Sequence, residues 1–161
     1  MADFMAWLEK SALGHLMRES GLWFYPAVNL LHVLGIATLF GSILVLDLRL
    51  LGIWKHLPLA GLSTPASRMA QVGFALAATT GVGLLATRAT EYVGNPFLLI
   101  KFPAIAMGLV NVTLLYRTTA WRAHRLRPLT LDEERRLALM GGISLASWLT
   151  AITAGRMVAY W

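Results

Sequence analysis

Three stretches of the chain, Gly21–Leu46, Met69–Thr87 and Leu137–Gly155, carry no Asp, Glu, Lys or Arg, and a fourth, Tyr92–Tyr116, carries only Lys101. Crossing a bilayer takes about 20 apolar residues at a rise of about 1.5 Å each. Each stretch is therefore long enough for one helical span, and together they use up most of the 161 residues. The pattern predicts an all-α protein, a four-transmembrane-helix bundle, with residues 1–161 forming a single integral membrane domain.

Capping chemistry places the ends. The first N–H groups of a helix need acceptors, and proline is tolerated in its first turn. Thr64-Pro65 and Asn95-Pro96 each offer a cap followed by a first-turn proline, and Thr130-Leu-Asp-Glu133 has the form of a capping box. The first span begins within Ser20–Pro26 and ends before Pro58. The expected helices are 24–55, 65–90, 96–121 and 131–160. Ahead of them, Met5, Leu8, Ala12 and Leu16 recur at helical spacing, which predicts a short N-terminal interfacial helix over 2–19, lying on the membrane or packed against the bundle. The opening MADFMAWLEK has neither the basic start nor the cleavage site of a removable leader, so the first span is expected to be retained.

Charge then orients the spans. With an even number of crossings, nine Lys or Arg residues (Arg49, Lys55, Arg68, Arg117, Arg122, Arg125, Arg127, Arg135, Arg136) fall on one side and five (Lys10, Arg18, Arg88, Lys101, Arg156) on the other. The positive-inside rule puts the richer side in the cytoplasm and both termini in the periplasm, in a bacterial inner membrane. The net charge of +6 is accounted for by this bias, and no basic groove interleaved with aromatics points to nucleic acid. Zero cysteines exclude disulfides, thiolate metal sites and covalently attached haem. Small residues spaced by four, Gly73/Ala77/Gly81 and Gly142/Ala146/Thr150/Ala154, predict close helix contacts.

The polar residues inside the spans carry the candidate chemistry. At 100° per residue, Tyr25, Asn29 and His32 share one face of the first span, and lipid exposure of an amide and an imidazole is costly. That face is expected to turn inward. His32 lies about 10 Å below its end of the span, counting 1.5 Å per residue. At the same level the other spans contribute Arg88, Glu91, Lys101, Arg156 and Tyr160, with Asn111 deeper. Pro103, two residues after Lys101, favours a kink. These residues form the candidate ligand or cofactor site, in the periplasmic half. The alternative for the cations is snorkelling to the interface, and for Tyr160 an aromatic belt. Asp47 and Arg49 read as structural polar residues, Asp47 needing an arginine such as Arg68, Arg117 or Arg136; His15, His56 and His124 fall in loops or at interfaces.

His32-Val-Leu-Gly35, Gly41, Asp47-Leu-Arg49-Leu-Leu-Gly52, Asn95-Pro96, Lys101, Asn111 and Gly155-Arg156-Met-Val-Ala-Tyr160 together resemble an uncharacterised bacterial family of small four-helix inner-membrane proteins, one of the domain-of-unknown-function families. The resemblance covers nearly the whole chain and implies no activity. A looser one, to copper-resistance D-type membrane domains, rests on a histidine followed by glycine in the first helix. It lacks support from any cluster of Met and His.

Three functions compete. The first is a non-enzymatic membrane subunit or binding module, with the lipid bilayer, other membrane subunits or a homo-oligomer as partners. The second is electron transfer, with haem b or a quinone bound at His32, the only histidine in the spans, and with His15, Met107 or Met157 as the second axial ligand a haem would need. A solute or proton pathway lacks charges across the membrane centre. No paired carboxylates, Ser/His/Asp set or Gly-rich phosphate loop points to an enzyme.

Overall fold

The computed structural model describes residues 2–161, which form seven α-helices and two 3-10 turns, with no strand among them. The helices are α1 (Ala2–Lys10), α2 (Ala12–Glu19), α3 (Phe24–Leu50), α4 (Leu59–Thr87), α5 (Pro96–Arg117), α6 (Thr119–Ala123) and α7 (Leu131–Met157). Four are long and apolar enough to cross a membrane: α3, α4, α5 and α7 with its 3-10 extension to Tyr160. Their apolar side chains largely face outward, Leu30 at 60%, Val72 at 60% and Val110 at 58% exposure, as lipid-facing helices require.

The helix ends differ from expectation for local reasons. α3 stops at Leu50 rather than 55, because Gly52 takes φ +99° and closes a glycine cap with paired bonds, Ile53 N–H to the Leu48 carbonyl and Gly52 N–H to the Arg49 carbonyl. α4 starts at Leu59, directly after Pro58, whose carbonyl accepts from the Gly61 N–H. Thr64-Pro65 is thus inside the helix, not at its start. α5 begins at Pro96 as expected but breaks at Thr118, whose hydroxyl accepts from the Trp121 N–H and starts α6. The capping box at Thr130 and Glu133 is present in full. The expected 2–19 helix is two helices, since the Ser11 hydroxyl caps α2.

Packing divides the chain into two compact units, one running up to Leu39 and taking in Gln71–Asn95, the other comprising Phe40–Ala70 and Pro96–Trp161. In the first, backbones touch through glycine. A Cβ on Gly35 would stand 2.7 Å from the Ala77 nitrogen, and Gly73 faces the backbone of Gly35 and Leu39 as closely. The Gly73/Ala77/Gly81 stripe is therefore a true contact line, of the kind that lets van der Waals packing hold helices in lipid. At the end of α4, Met5 and Leu8 bury against Ala86 and Ala89, Met17 rests on Gly83, and α1 and α2 are tied down by polar bonds. The Arg18 guanidinium donates to the Thr87 and Glu9 carbonyls, and both the N–H and the hydroxyl of Thr90 donate to the Glu9 carboxylate at 2.7 Å. Those bonds hold the Glu9 carboxyl below its ordinary value. The N-terminal segment packs on the chain while Phe4 and Trp7, stacked on each other, remain outside.

In the second unit, Leu46, Leu50, Leu59, Leu115, Trp121 and Leu137 form the core. α7 buries Leu137, Gly141, Ser147, Trp148, Ala151 and Ala154. Of the expected Gly142/Ala146/Thr150/Ala154 line only Ala154 is buried, and Ala146 and Thr150 are exposed; the buried face is turned towards Gly141, which meets Asp47 and Leu50, and Trp148, which enters the notch at Gly108.

Candidate functional site

The residues singled out from the sequence fall into both units. In the first are Tyr25, Asn29, His32, Arg88 and Glu91; in the second, Lys101, Asn111, Arg156 and Tyr160, with Asp47 and Arg49.

His32 is half-buried, and its ring lies against Gly81, where a Cβ would come within 2.9 Å of Cε1. Its Nδ1 is hydrogen-bonded to the Thr80 hydroxyl at 3.1 Å, and that hydroxyl donates in turn to the Leu76 carbonyl at 2.5 Å. With the Thr80 proton committed to the carbonyl, the imidazole N–H is the natural donor between them. The glycine is what permits this, since a methyl group there would push the ring off the helix. Tyr25 and Asn29 do not follow His32 inward: Asn29 is exposed and Tyr25 is 44% exposed. They lie in the first turns of α3, where interfacial water satisfies an amide or phenol, so nothing forces that end of the face inward. Arg88 and Glu91 form a long, exposed i,i+3 pair at 3.7 Å. Near them burial pushes the Tyr92 hydroxyl up, with Tyr25 and Glu91 adding to the shift and Arg88 opposing it.

Lys101 is half-buried on α5 and runs across Gly155 of α7, its Cε and Nζ 3.4 Å from where a Cβ would be. Among the described residues no carboxylate lies within ion-pair distance of it. One residue on, the Arg156 guanidinium donates to the Tyr160 hydroxyl at 2.6 Å and sits 5.0 Å from the ring centre. Asn111, by contrast, is fully engaged in packing, its amide donating to the Met140 carbonyl at 2.9 Å.

Asp47 is 3% exposed. The Ser144 hydroxyl lies beside its carboxyl, no arginine pairs with it among the described residues, and its Oδ2 has no hydrogen-bond partner there. Arg49 fastens the turn after α3 by donating to the Leu57 carbonyl at 2.7 Å and the Lys55 carbonyl at 3.3 Å. This clamp supports Trp54, which holds φ +54°.

Two features were not foreseen. His124 is 9% exposed rather than solvated; its Nδ1 bonds the Trp121 carbonyl and its Nε2 lies 2.9 Å from the Ser63 hydroxyl. Burial lowers its pKa, and Arg125 adds to that, while the bond to Trp121 opposes it. Ser63 is fully buried, so the pair has no nucleophile open to a substrate. Beside it is a cavity of about 410 Å3, bordered by Arg49, Lys55, His124, Arg127, Glu134 and Arg135 over an apolar floor that includes Leu50, Leu59 and Leu137. The arginine-rich segment 122–136 signalled cations in the sequence, but only the turn at Gly52 and the break at Thr118 bring them round one hollow.

Among the described residues no three His, Cys, Asp or Glu side chains gather as a metal-binding group. Comparison with curated proteins and with solved structures returned no match. A family model does match, over residues 4–161, and it covers every candidate residue above and all of the helices but the first two residues of α1. The chain belongs to DUF6644, a family of unknown function.

Proposed function

We propose that the chain is a non-enzymatic binding module or subunit of the bacterial inner membrane, with both termini periplasmic, and that its ligand site centres on Lys101, Arg156 and Tyr160. One observation supports this reading: an ammonium inside an apolar span, laid across a glycine, with no carboxylate of the described residues within ion-pair distance. A charge in such a place is expensive unless something shares it, and the small Gly155 lets the ammonium lie against α7. A carboxylate or a polarised carbonyl on a lipid-soluble molecule would accept from Lys101, with Arg156 and Tyr160 closing the outer end. The same chemistry suits a quinone, which keeps the electron-transfer reading tied to Lys101. For His32, the bond to Thr80 and the contact with Gly81 support an interhelical latch more than a haem ligand.

Native mass spectrometry of the detergent-purified protein tests the site. Wild type is expected to carry a small acidic or carbonyl-bearing adduct that Lys101→Met loses while Asn111→Ala keeps it. Identical adduct-free spectra for wild type and Lys101→Met would sink the proposal.

A further inference from the structure

We propose that the cavity bordered by the α3–α4 turn and by the segment from α6 to the start of α7 binds a phosphate-bearing anion. It is separate from the Lys101 site and does not depend on it. At about 410 Å3 it has the size of a ligand site. Four cations, Arg49, Lys55, Arg127 and Arg135, border it against one carboxylate, Glu134.

The four differ in how far the fold has committed them. Arg49 is held by two carbonyls of the α3–α4 turn. Arg127 makes a fork to Glu133 at 2.7 and 2.8 Å. Lys55 folds over Gly52 and makes no ion pair among the described residues. Arg135 has only a 4.0 Å, solvent-exposed contact with Asp132. Arg49 is thus a fixed positive charge with no carboxylate partner, Arg127 is offset by Glu133, and the two uncommitted cations, Lys55 and Arg135, are free to close on an anion. The backbone at the start of α7 does not supply the site, because Thr130 and Glu133 already cap it. Side chains arriving from two segments suit an acceptor with several oxygens pointing in different directions, which a phosphate has and a carboxylate lacks. The Leu50, Leu59 and Leu137 floor admits the apolar part of such a molecule. Both a phospholipid headgroup and a soluble phosphoanion have this chemistry.

Two arms separate these sources, both using the full chain. In nanodiscs, native mass spectrometry compares retention of phosphatidylglycerol with that of phosphatidylcholine. In detergent, binding of inorganic phosphate and glycerol phosphate is titrated at low salt. Saturable binding in at least one arm is expected: phosphatidylglycerol alone assigns a lipid headgroup, and the soluble probes assign a free phosphoanion. Lys55→Gln with Arg135→Gln should weaken it about 25-fold, about fivefold per cation. Arg122→Gln with Arg125→Gln removes two exposed cations of the same segment that do not border the cavity, and should change it less than about twofold. The charge-preserving pair Lys55→Arg with Arg135→Lys should retain binding, which separates loss of charge from loss of fold. No saturable binding in either arm, or equal weakening by the two glutamine pairs, overturns the proposal.

Discussion

The Trp148 indole fills the notch left by Gly108, where a Cβ would stand 2.9 Å from Cε2 and 3.1 Å from Nε1. In lipid, helices gain little from hydrophobic burial against one another, so shape fit and hydrogen bonds must hold them. α5 and α7 have both, because one turn further along α5 the Asn111 amide donates to the Met140 carbonyl. Gly108→Ala should therefore lower stability by about 1–3 kcal/mol through overpacking, and Trp148→Ala by about 3–5 kcal/mol through the cavity it leaves. Thermal unfolding in detergent measures both. Unchanged melting of Gly108→Ala would mean that the indole is not seated there.

The hydrogen bond between His32 and Thr80 gives a second expectation. Polar contacts between membrane helices couple by about 0.6 kcal/mol on average and by at most about 1.7 kcal/mol. A double-mutant cycle with His32→Ala and Thr80→Val should return a coupling in that range. Gly81→Ala, which crowds the ring, should cost at least as much as His32→Ala. A coupling near zero would remove the latch reading and return His32 to the list of ligand candidates.

How much of this was legible depends on what sequence patterns encode. Hydropathy accumulates over about 20 residues, so all four long helices show in the charge-free runs. A capping box is a local chemical device, and Thr130 to Glu133 could be read directly. The Gly52 cap was equally local, a glycine just after the last basic residue, and it explains why α3 ends at Leu50. Periodicity says which residues share a face but not which face is buried, and in lipid both faces are apolar. That is why α7 packs through Gly141, Ser147 and Trp148 rather than through Ala146 and Thr150, and why Asn29 stays outside while His32 is bonded. The cationic cavity joins residues as far apart in sequence as Arg49 and Arg135, a relation no local pattern carries.

Asp47 offers a test of a buried acid without a cation. The carboxyl has the Ser144 hydroxyl on one side, and its Oδ2 has no partner among the described residues. Removing one member of a buried ion pair typically costs about 3–5 kcal/mol, because the other charge is stranded. Here no charge would be stranded, so Asp47→Asn, which keeps a carbonyl oxygen for the Ser144 hydroxyl beside it, should change stability by less than about 1.5 kcal/mol, while Ser144→Ala should lose about 1–3 kcal/mol. A loss in Asp47→Asn as large as that of a broken ion pair would reveal an arginine partner after all.

His124 makes stability pH-dependent in a stated direction. Both ring nitrogens are engaged, Nδ1 donating to the Trp121 carbonyl and Nε2 accepting from the Ser63 hydroxyl, an arrangement that needs the neutral ring. Burial, the largest cause, and Arg125 lower its pKa in the fold below the unfolded 6.5. Arg49, Lys55, Arg127, Arg135 and Glu134 border the same cavity. The unfolded chain therefore binds the proton more readily, and stability must rise with pH where the two states differ. The contribution is complete above about 6.5 and is lost as the pH falls below it. Protonation would also turn Nε2 into a donor facing Ser63, forcing that hydroxyl towards the more distant Ala60 carbonyl at 3.4 Å. Melting temperature should fall between about pH 7.5 and about pH 5.5, and His124→Gln should flatten that slope while lowering stability at the upper end, where the wild-type bonds are intact. If the slope survives the substitution unchanged, another group carries it and the buried neutral imidazole is not what stabilises this turn.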